Sequence, residues 1–67
     1  MIKHAITIYY DATDEIYVAE IPELEGCASH GKTPNDALRN VEEAYVSWTA
    51  AVLANGFVIP EPMAHSA

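Results

Sequence analysis

The stretch "KTPNDALRNVEEAYVSWTAAVLANG", residues 32 to 56, constrains this chain more than any other. Thr33 is a natural N-cap, because its hydroxyl can accept a backbone N–H of the first helical turn. Pro34 suits that turn, where an N–H would have no intrahelical acceptor, and Asp36 sits near the positive end of the helix dipole. Asn55-Gly56 supplies the stop. The helix so bounded has about 22 residues and a length of roughly 33 Å. At 100° per residue, Ala37, Leu38, Val41, Ala44, Tyr45, Trp48, Ala51 and Val52 fall on one stripe, the face expected to pack on a sheet.

The other side of the helix changes character along its length. It is polar at Arg39, Glu42 and Glu43, then apolar at Val46, Ala50 and Leu53. A helix covering one sheet needs only one apolar stripe. Either the C-terminal segment "FVIPEPMAHSA" folds back over the second one, or a protein covers it. With 67 residues, the core of a single domain is small, and self-association is a common remedy. The expectation is a homo-oligomer, dimer or tetramer, with Val46, Ala50 and Leu53 at its interface. The lone Cys27 excludes an internal disulfide, and His4, His30 and His65 show no ligand spacing.

The sheet is read from the first half. "MIKHAITIYY" alternates, with Ile2, Ile6, Ile8 and Tyr10 on one side around His4, and Lys3, Ala5, Thr7 and Tyr9 on the other. "DATD" is a turn of backbone-bonding Asp residues, and "EIYVAEI" returns as a second strand to make a hairpin. Tyr17, Ala19 and Ile21 oppose Ile16 and Val18, and Glu20 puts the second set toward water. Pro22 ends the strand because it has no N–H to donate. "GCASHG" reads as a brief third strand, and "FVI" after the helix as a fourth, parallel to a hairpin strand through a right-handed crossover. The expected class is α+β with order βββαβ, one long helix on one face of a small sheet, spanning residues 1–62 with a short tail at 63–67.

Ten acidic residues against three basic ones give a net charge of −7. Such a surface repels nucleic acid and anionic membranes, and it attracts and steers a basic protein. Met1 leads straight into the alternating pattern without a cationic region and apolar core, so no signal peptide is expected. "AYVSWTAAVLA" falls short of the roughly 20 residues of a spanning helix. A cytoplasmic protein is expected.

Chemistry finds little footing. "GCASHGKT", Gly26 to Thr33, fits the phosphate-loop pattern G-x-x-x-x-G-K-T letter for letter. Its surroundings do not: Pro34 removes an amide donor, no buried parallel strand precedes the loop, and the chain is too short for a doubly wound sheet. Cys27 and His30 make only half a metal site, and as a nucleophile and base they lack a third, orienting group. Packing is the better reading of Cys27. Pairs such as Asp11/Asp14 and Glu42/Glu43 read as solvated charge. No cofactor, metal or catalytic residue is expected.

The succession "YYDATDEIYVAEIPELEGCASHGKTPNDALRNVEEA", followed by "GFVIPEP", resembles the HicB antitoxin family, formerly the UPF0150 group. The match runs from Tyr9 to Pro62, and its order is more specific than any one piece. The resemblance implies a partial RNase H-like βββαβ fold. It implies no nuclease activity, because "IKHAITIYY" and "FVI" lack the carboxylates of a two-metal site and Glu42 with Glu43 cannot supply it. What it implies instead is neutralisation of a small basic mRNA-cleaving toxin of the HicA type by direct binding. Many members add a C-terminal DNA-binding domain, and none is visible after "PEP", so a short form without DNA autoregulation of its own is expected. Asp11, Asp14, Glu20, Glu23 and Glu25 are the candidate contacts for the basic partner. The alternative is a degenerate RNase H-like nuclease, or a small-molecule or regulatory module, on the same fold.

Overall fold

The computed structural model describes residues 2–62. Three strands, β1 (Thr7–Asp11), β2 (Ile16–Glu20) and β3 (Ala28–Gly31), precede one helix, α1 (Pro34–Ala54). The sheet is antiparallel in the order β1-β2-β3. Its α+β class and the helix packed on one face are those expected.

The β1–β2 hairpin is closed by its own Asp. Asp11 Oδ1 accepts from the backbone N–H groups of Thr13, at 3.0 Å, and Asp14, at 3.3 Å. The resulting turn places Glu15 in the left-handed region, φ 53°. The register it sets pairs Tyr10 with Tyr17 and Thr7 with Glu20. Counting back, Pro22 falls opposite Ala5. Proline has no N–H for a ladder, so pairing stops at Thr7 and the strand is shorter than "MIKHAITIYY" promised. Residues 2–6 still serve the core, with Ile2 and Ile6 packed against it.

Between β2 and β3 the chain makes two successive turns. Leu24 N–H donates to the Ile21 carbonyl and Cys27 N–H to the Leu24 carbonyl, both at 2.9 Å. Ile21 N–H then meets the Cys27 carbonyl at 3.0 Å and extends the β2–β3 pairing by one step. Ile21, Leu24 and Cys27, three residues apart, all point inward and are almost fully buried. Gly26, at φ 83°, takes the third position of the second turn, where type II geometry requires a positive φ.

Thr33 caps α1 as expected: its Oγ1 accepts from Asp36 N–H at 3.1 Å. The other end closes with paired bonds from Gly56 N–H to the Leu53 carbonyl and from Phe57 N–H to the Val52 carbonyl, with Gly56 at φ 78°. This is the Schellman arrangement. Ala37 and Val41 are fully buried, and Leu38, Tyr45 and Trp48 pack against the core. Ala51, expected on the same stripe, is exposed. The reason is length. A 21-residue helix runs about 32 Å, whereas strands of four or five residues run about 13–17 Å. The second half of α1 overhangs the sheet and is tied down chiefly by Trp48, whose Nε1–H donates to the Glu25 carbonyl at 2.9 Å.

The fourth strand does not form. Residues 57–60 have no regular secondary structure, so the order among the described residues is βββα rather than βββαβ. Pro60 and Pro62 lack N–H groups, and Phe57 has spent its own on the helix end, which leaves too few donors for a ladder. The segment is anchored by side chains instead. Ile59 packs on the core, and the buried His4 donates from Nε2 to the Pro60 carbonyl at 2.7 Å. The tail at 63–67 lies outside the described residues.

Two glycines separate two physical costs. A Cβ at Gly31 would stand 2.5 Å from the Ala37 nitrogen and 2.7 Å from the Asp36 carbonyl carbon, both backbone atoms. A Cβ at Gly26 would meet nothing within 4 Å. Gly31→Ala is expected to lift the helix from β3 at a cost of about 2 kcal/mol or more. Gly26→Ala should cost about 1 kcal/mol, from backbone conformation alone. Urea unfolding of both variants measures the difference, and equal losses would contradict this account of Gly31.

Candidate partner-binding surface

Alternation along the strands assigns their side chains to two faces. Ala19 is fully buried under α1, so its cross-strand partners Ile8 and Ser29 share the helix side. Tyr10 and Tyr17 meet there with ring centroids 5.2 Å apart and planes tilted by 60°. The helix packs mainly on β3 and β2, which leaves Ile8 and Tyr10 partly exposed even on this side.

The outer face carries Thr7, Tyr9 and Asp11 of β1, Ile16, Val18 and Glu20 of β2, and Ala28 and His30 of β3. Its central row is Tyr9–Val18–His30, with Tyr9 46% exposed. The five acidic residues singled out from the sequence do not form one patch. Asp11 and Asp14 lie at the hairpin end, with Glu15 beside them. Glu20, Glu23 and Glu25 lie at the other end, about 13 Å away along β2. Asp11 and Glu20 are both on the outer face, so the acidic ends flank the Tyr9–Val18–His30 row. Glu20 and Glu25 also border a shallow hollow of about 390 Å³ over the 20–28 loop. Glu23 is half-buried rather than on an open corner.

Tyr9, Val18 and His30 were not singled out beforehand. Both sides of β1 and β2 read as apolar, and the only hint was that Val18 shares its side with Glu20. The Asp11 carboxylate is engaged in closing the hairpin.

The other sequence candidates resolve by position. Within the phosphate-loop match, Ala28–Gly31 is extended strand, and the first-turn amide of Asp36 is already bonded to Thr33. A phosphate cradle needs those amides free and converging. Cys27 and His30 occupy opposite faces: Cys27 is 2% exposed in the core, and His30 is exposed on the outer face. Burial pushes the Cys27 thiol above its ordinary range. Among the described residues, no three His, Cys, Asp or Glu side chains come together to hold a metal ion. Asp11 on the outer face and the exposed Glu42 and Glu43 of α1 are separated by both layers of the fold. No helix of the described residues is long and apolar enough to cross a membrane.

Comparison with known proteins places the chain in a family. Residues 4–66 match the family described as the HicB-like antitoxin of bacterial toxin-antitoxin systems. The chain belongs to the HicB-like antitoxin family. A UPF0150 protein of Thermoplasma acidophilum is 34% identical over 58 residues, covering 87% of this chain and 83% of the relative. No solved structure matches. Family proteins of this kind are generally non-enzymatic, and family membership implies a cognate toxin.

The burial of Cys27 has a measurable consequence. A thiol held neutral in the folded state and free to ionise when unfolded favours unfolding once pH passes its unfolded value, near 9.0. The stability it contributes is fully present below that pH and falls as pH rises above it. In Cys27→Ala, the slope of stability between pH 8 and 10 is expected to be flatter than in the parent chain. Urea midpoints across that range give the comparison, and identical slopes would refute it. The native thiol should also resist a water-soluble thiol reagent until the chain is unfolded.

Proposed function

We propose that this HicB-like chain is a non-enzymatic antitoxin that neutralises a small basic RNase of the HicA type by direct binding, in the cytoplasm where the toxin meets mRNA. Family membership over nearly the whole chain carries this reading. The charge of −7 supports it physically. A surface evolved to hold RNA phosphates is lined with Lys and Arg, and an acidic protein competes for it with the same Coulombic attraction. The order of strands and helix is compatible with a partial RNase H-like unit used as a binding scaffold.

The outer face of the sheet is the surface best suited to this task. An aromatic centre at Tyr9, with Val18 and His30 beside it, can be desolvated against a partner, and aromatic anchors carry much of the energy of such contacts. Acidic groups at both ends supply steering and register rather than bulk affinity. The hollow bordered by Glu20 and Glu25 can take one Lys or Arg side chain of the toxin. Glu42 and Glu43, on the solvent side of α1, lie away from this face and serve as an internal control.

Binding of the full chain to a purified basic RNase of the HicA type, followed by calorimetry at several salt concentrations, tests the proposal. Affinity should fall steeply with salt. Tyr9→Ala is expected to weaken binding by about 1–2 kcal/mol, or 5- to 30-fold. Glu20→Lys with Glu25→Lys should slow association and reduce the salt dependence, whereas Glu42→Lys with Glu43→Lys should do neither. If the α1 pair proves sensitive and the outer-face variants bind normally, the assignment of the face is wrong. If no salt-sensitive complex forms at all, the antitoxin reading loses its support.

A further inference from the structure

Of the asparagines Asn35, Asn40 and Asn55, only Asn55 is followed by glycine. An asparagine amide carries an electrophilic carbon, Cγ, which the backbone nitrogen of the next residue can attack to close a five-membered ring. A following side chain hinders that approach, and glycine has none. The other two asparagines are further protected. Asn35 precedes Asp36, whose N–H is bonded to Thr33 Oγ1, and Asn40 precedes the fully buried Val41 inside α1. Asn55 and Gly56 are both exposed.

The native helix end holds the reacting atoms apart. Asn55 has ψ 5°, which turns the Gly56 nitrogen a third of a turn away from Cβ, whereas ring closure needs the two eclipsed. The Gly56 N–H donates to the Leu53 carbonyl at 3.1 Å, and Asn55 Nδ2 donates to the Ala51 carbonyl at 2.8 Å. These restraints last only while the final turn stays closed. The buried residues of α1, Ala37 and Val41, lie toward its other end, and Val46, Ala50 and Leu53 on the overhanging half are exposed. A helix end so lightly packed opens at little cost. Gly56 is needed for the positive φ of the Schellman turn, and the same missing side chain leaves its nitrogen free to attack once the turn opens.

We propose that Asn55–Gly56 is a self-modifying site gated by fraying of the helix end, and that its reaction unlocks the C-terminal segment. In the opened turn the Gly56 nitrogen bonds to Asn55 Cγ. Its proton passes through solvent to the side-chain nitrogen, which leaves as ammonia. Water then opens the cyclic imide, its hydroxyl going to one carbonyl carbon and its proton to the ring nitrogen. Opening at Cγ gives isoaspartate's counterpart, ordinary aspartate, when the Cγ–N bond is hydrolysed; opening at the backbone carbonyl gives isoaspartate, whose main chain runs through Cβ and Cγ. Both products set a carboxylate at the negative pole of the helix dipole, in a stretch from Ala44 to Pro60 that otherwise carries no charge. Aspartate lacks the N–H that served the Ala51 carbonyl. Isoaspartate adds a backbone carbon before Gly56, which shifts the Gly56 and Phe57 N–H groups off the Leu53 and Val52 carbonyls. Residues 57–62 are then held by the packing of Ile59 and the bond from His4 to the Pro60 carbonyl. The reaction runs one way, so the modified fraction records how long the helix end has been open.

Incubation of the full chain at neutral pH in heavy-oxygen water, followed by mass spectrometry of its peptides, reads the chemistry. Asn55 is expected to lose its amide and take up heavy oxygen, while Asn35 and Asn40 remain amides. The folded chain should react about tenfold or more slowly than the chain in urea, because only the opened fraction is competent. Asn55→Gln, which would have to close a larger ring, should stay unmodified. Unlocking is read separately, by deuterium exchange at the Gly56 and Phe57 amides. Exchange should be about two- to fivefold faster in Asn55→Asp than in the parent chain, and faster still in the aged chain that contains isoaspartate. Equal rates in folded and unfolded chain overturn the gating, and conversion of Asn35 or Asn40 at the same rate overturns the site. Unchanged exchange in the aged chain overturns the unlocking. None of these readings involves the outer face of the sheet, so they stand or fall apart from the antitoxin proposal.

Discussion

The approach of β3 to the start of α1 at Gly31 holds the two layers together. No side chain separates the strand from the helix backbone there, and the first turn sits close enough that even a methyl group would collide with it. The Thr33 cap and the Asn40 side chain, which donates from Nδ2 to the His30 carbonyl at 2.6 Å, fix the same junction from either side. The helix is thus anchored near its N-terminus, over β3 and β2, and its direction is set before it reaches Tyr45. Beyond that point the sheet has ended. The exposed second half, the partly uncovered β1 and the isolated outer face all follow from anchoring a long helix at one end of a short sheet.

The same geometry explains why the 21–27 loop is built from buried residues. The overhanging helix needs support, and the loop provides it by placing Leu24 inward and offering the Glu25 carbonyl to Trp48. Concentrating Pro22, Gly26 and Cys27 in this stretch gives it the look of a reactive site. Each has a structural role: Pro22 stops the ladder, Gly26 permits the second turn, and Cys27 fills the core. Of its two carboxylates, Glu25 is exposed and Glu23 is half-buried.

How far the fold was legible depended on whether a local rule governed each element. The helix, its caps and its buried stripe follow from spacing and from side chains acting within one turn, and only Ala51 was misplaced, because the sheet beneath it had run out. The end of β1 depended on a partner in another strand: Pro22 silences Ala5, a relation visible only once the Asp11–Ile16 register is known. "FVI" has the composition of a strand, yet composition says nothing about donors, and those were lost to two prolines and the helix cap. The acidic residues were legible one by one, but their division between the two ends of the sheet was not. Tyr9 escaped notice for a related reason. When both sides of a strand are apolar, alternation separates the faces without saying which one the helix covers.

Charge distribution along the chain bears on how one small domain can hold two surfaces. Residues 3–43, which include the strands, their connecting loops and the first half of α1, contain all but one of the charged residues, and residues 44–60 contain none. The attraction toward a basic protein proposed above would therefore originate in the charged part of the chain and weaken toward the uncharged part. Salt screens such an attraction. The outer face of the sheet carries charge at both ends and the overhanging half of α1 carries none, so the two surfaces differ in what they can attract.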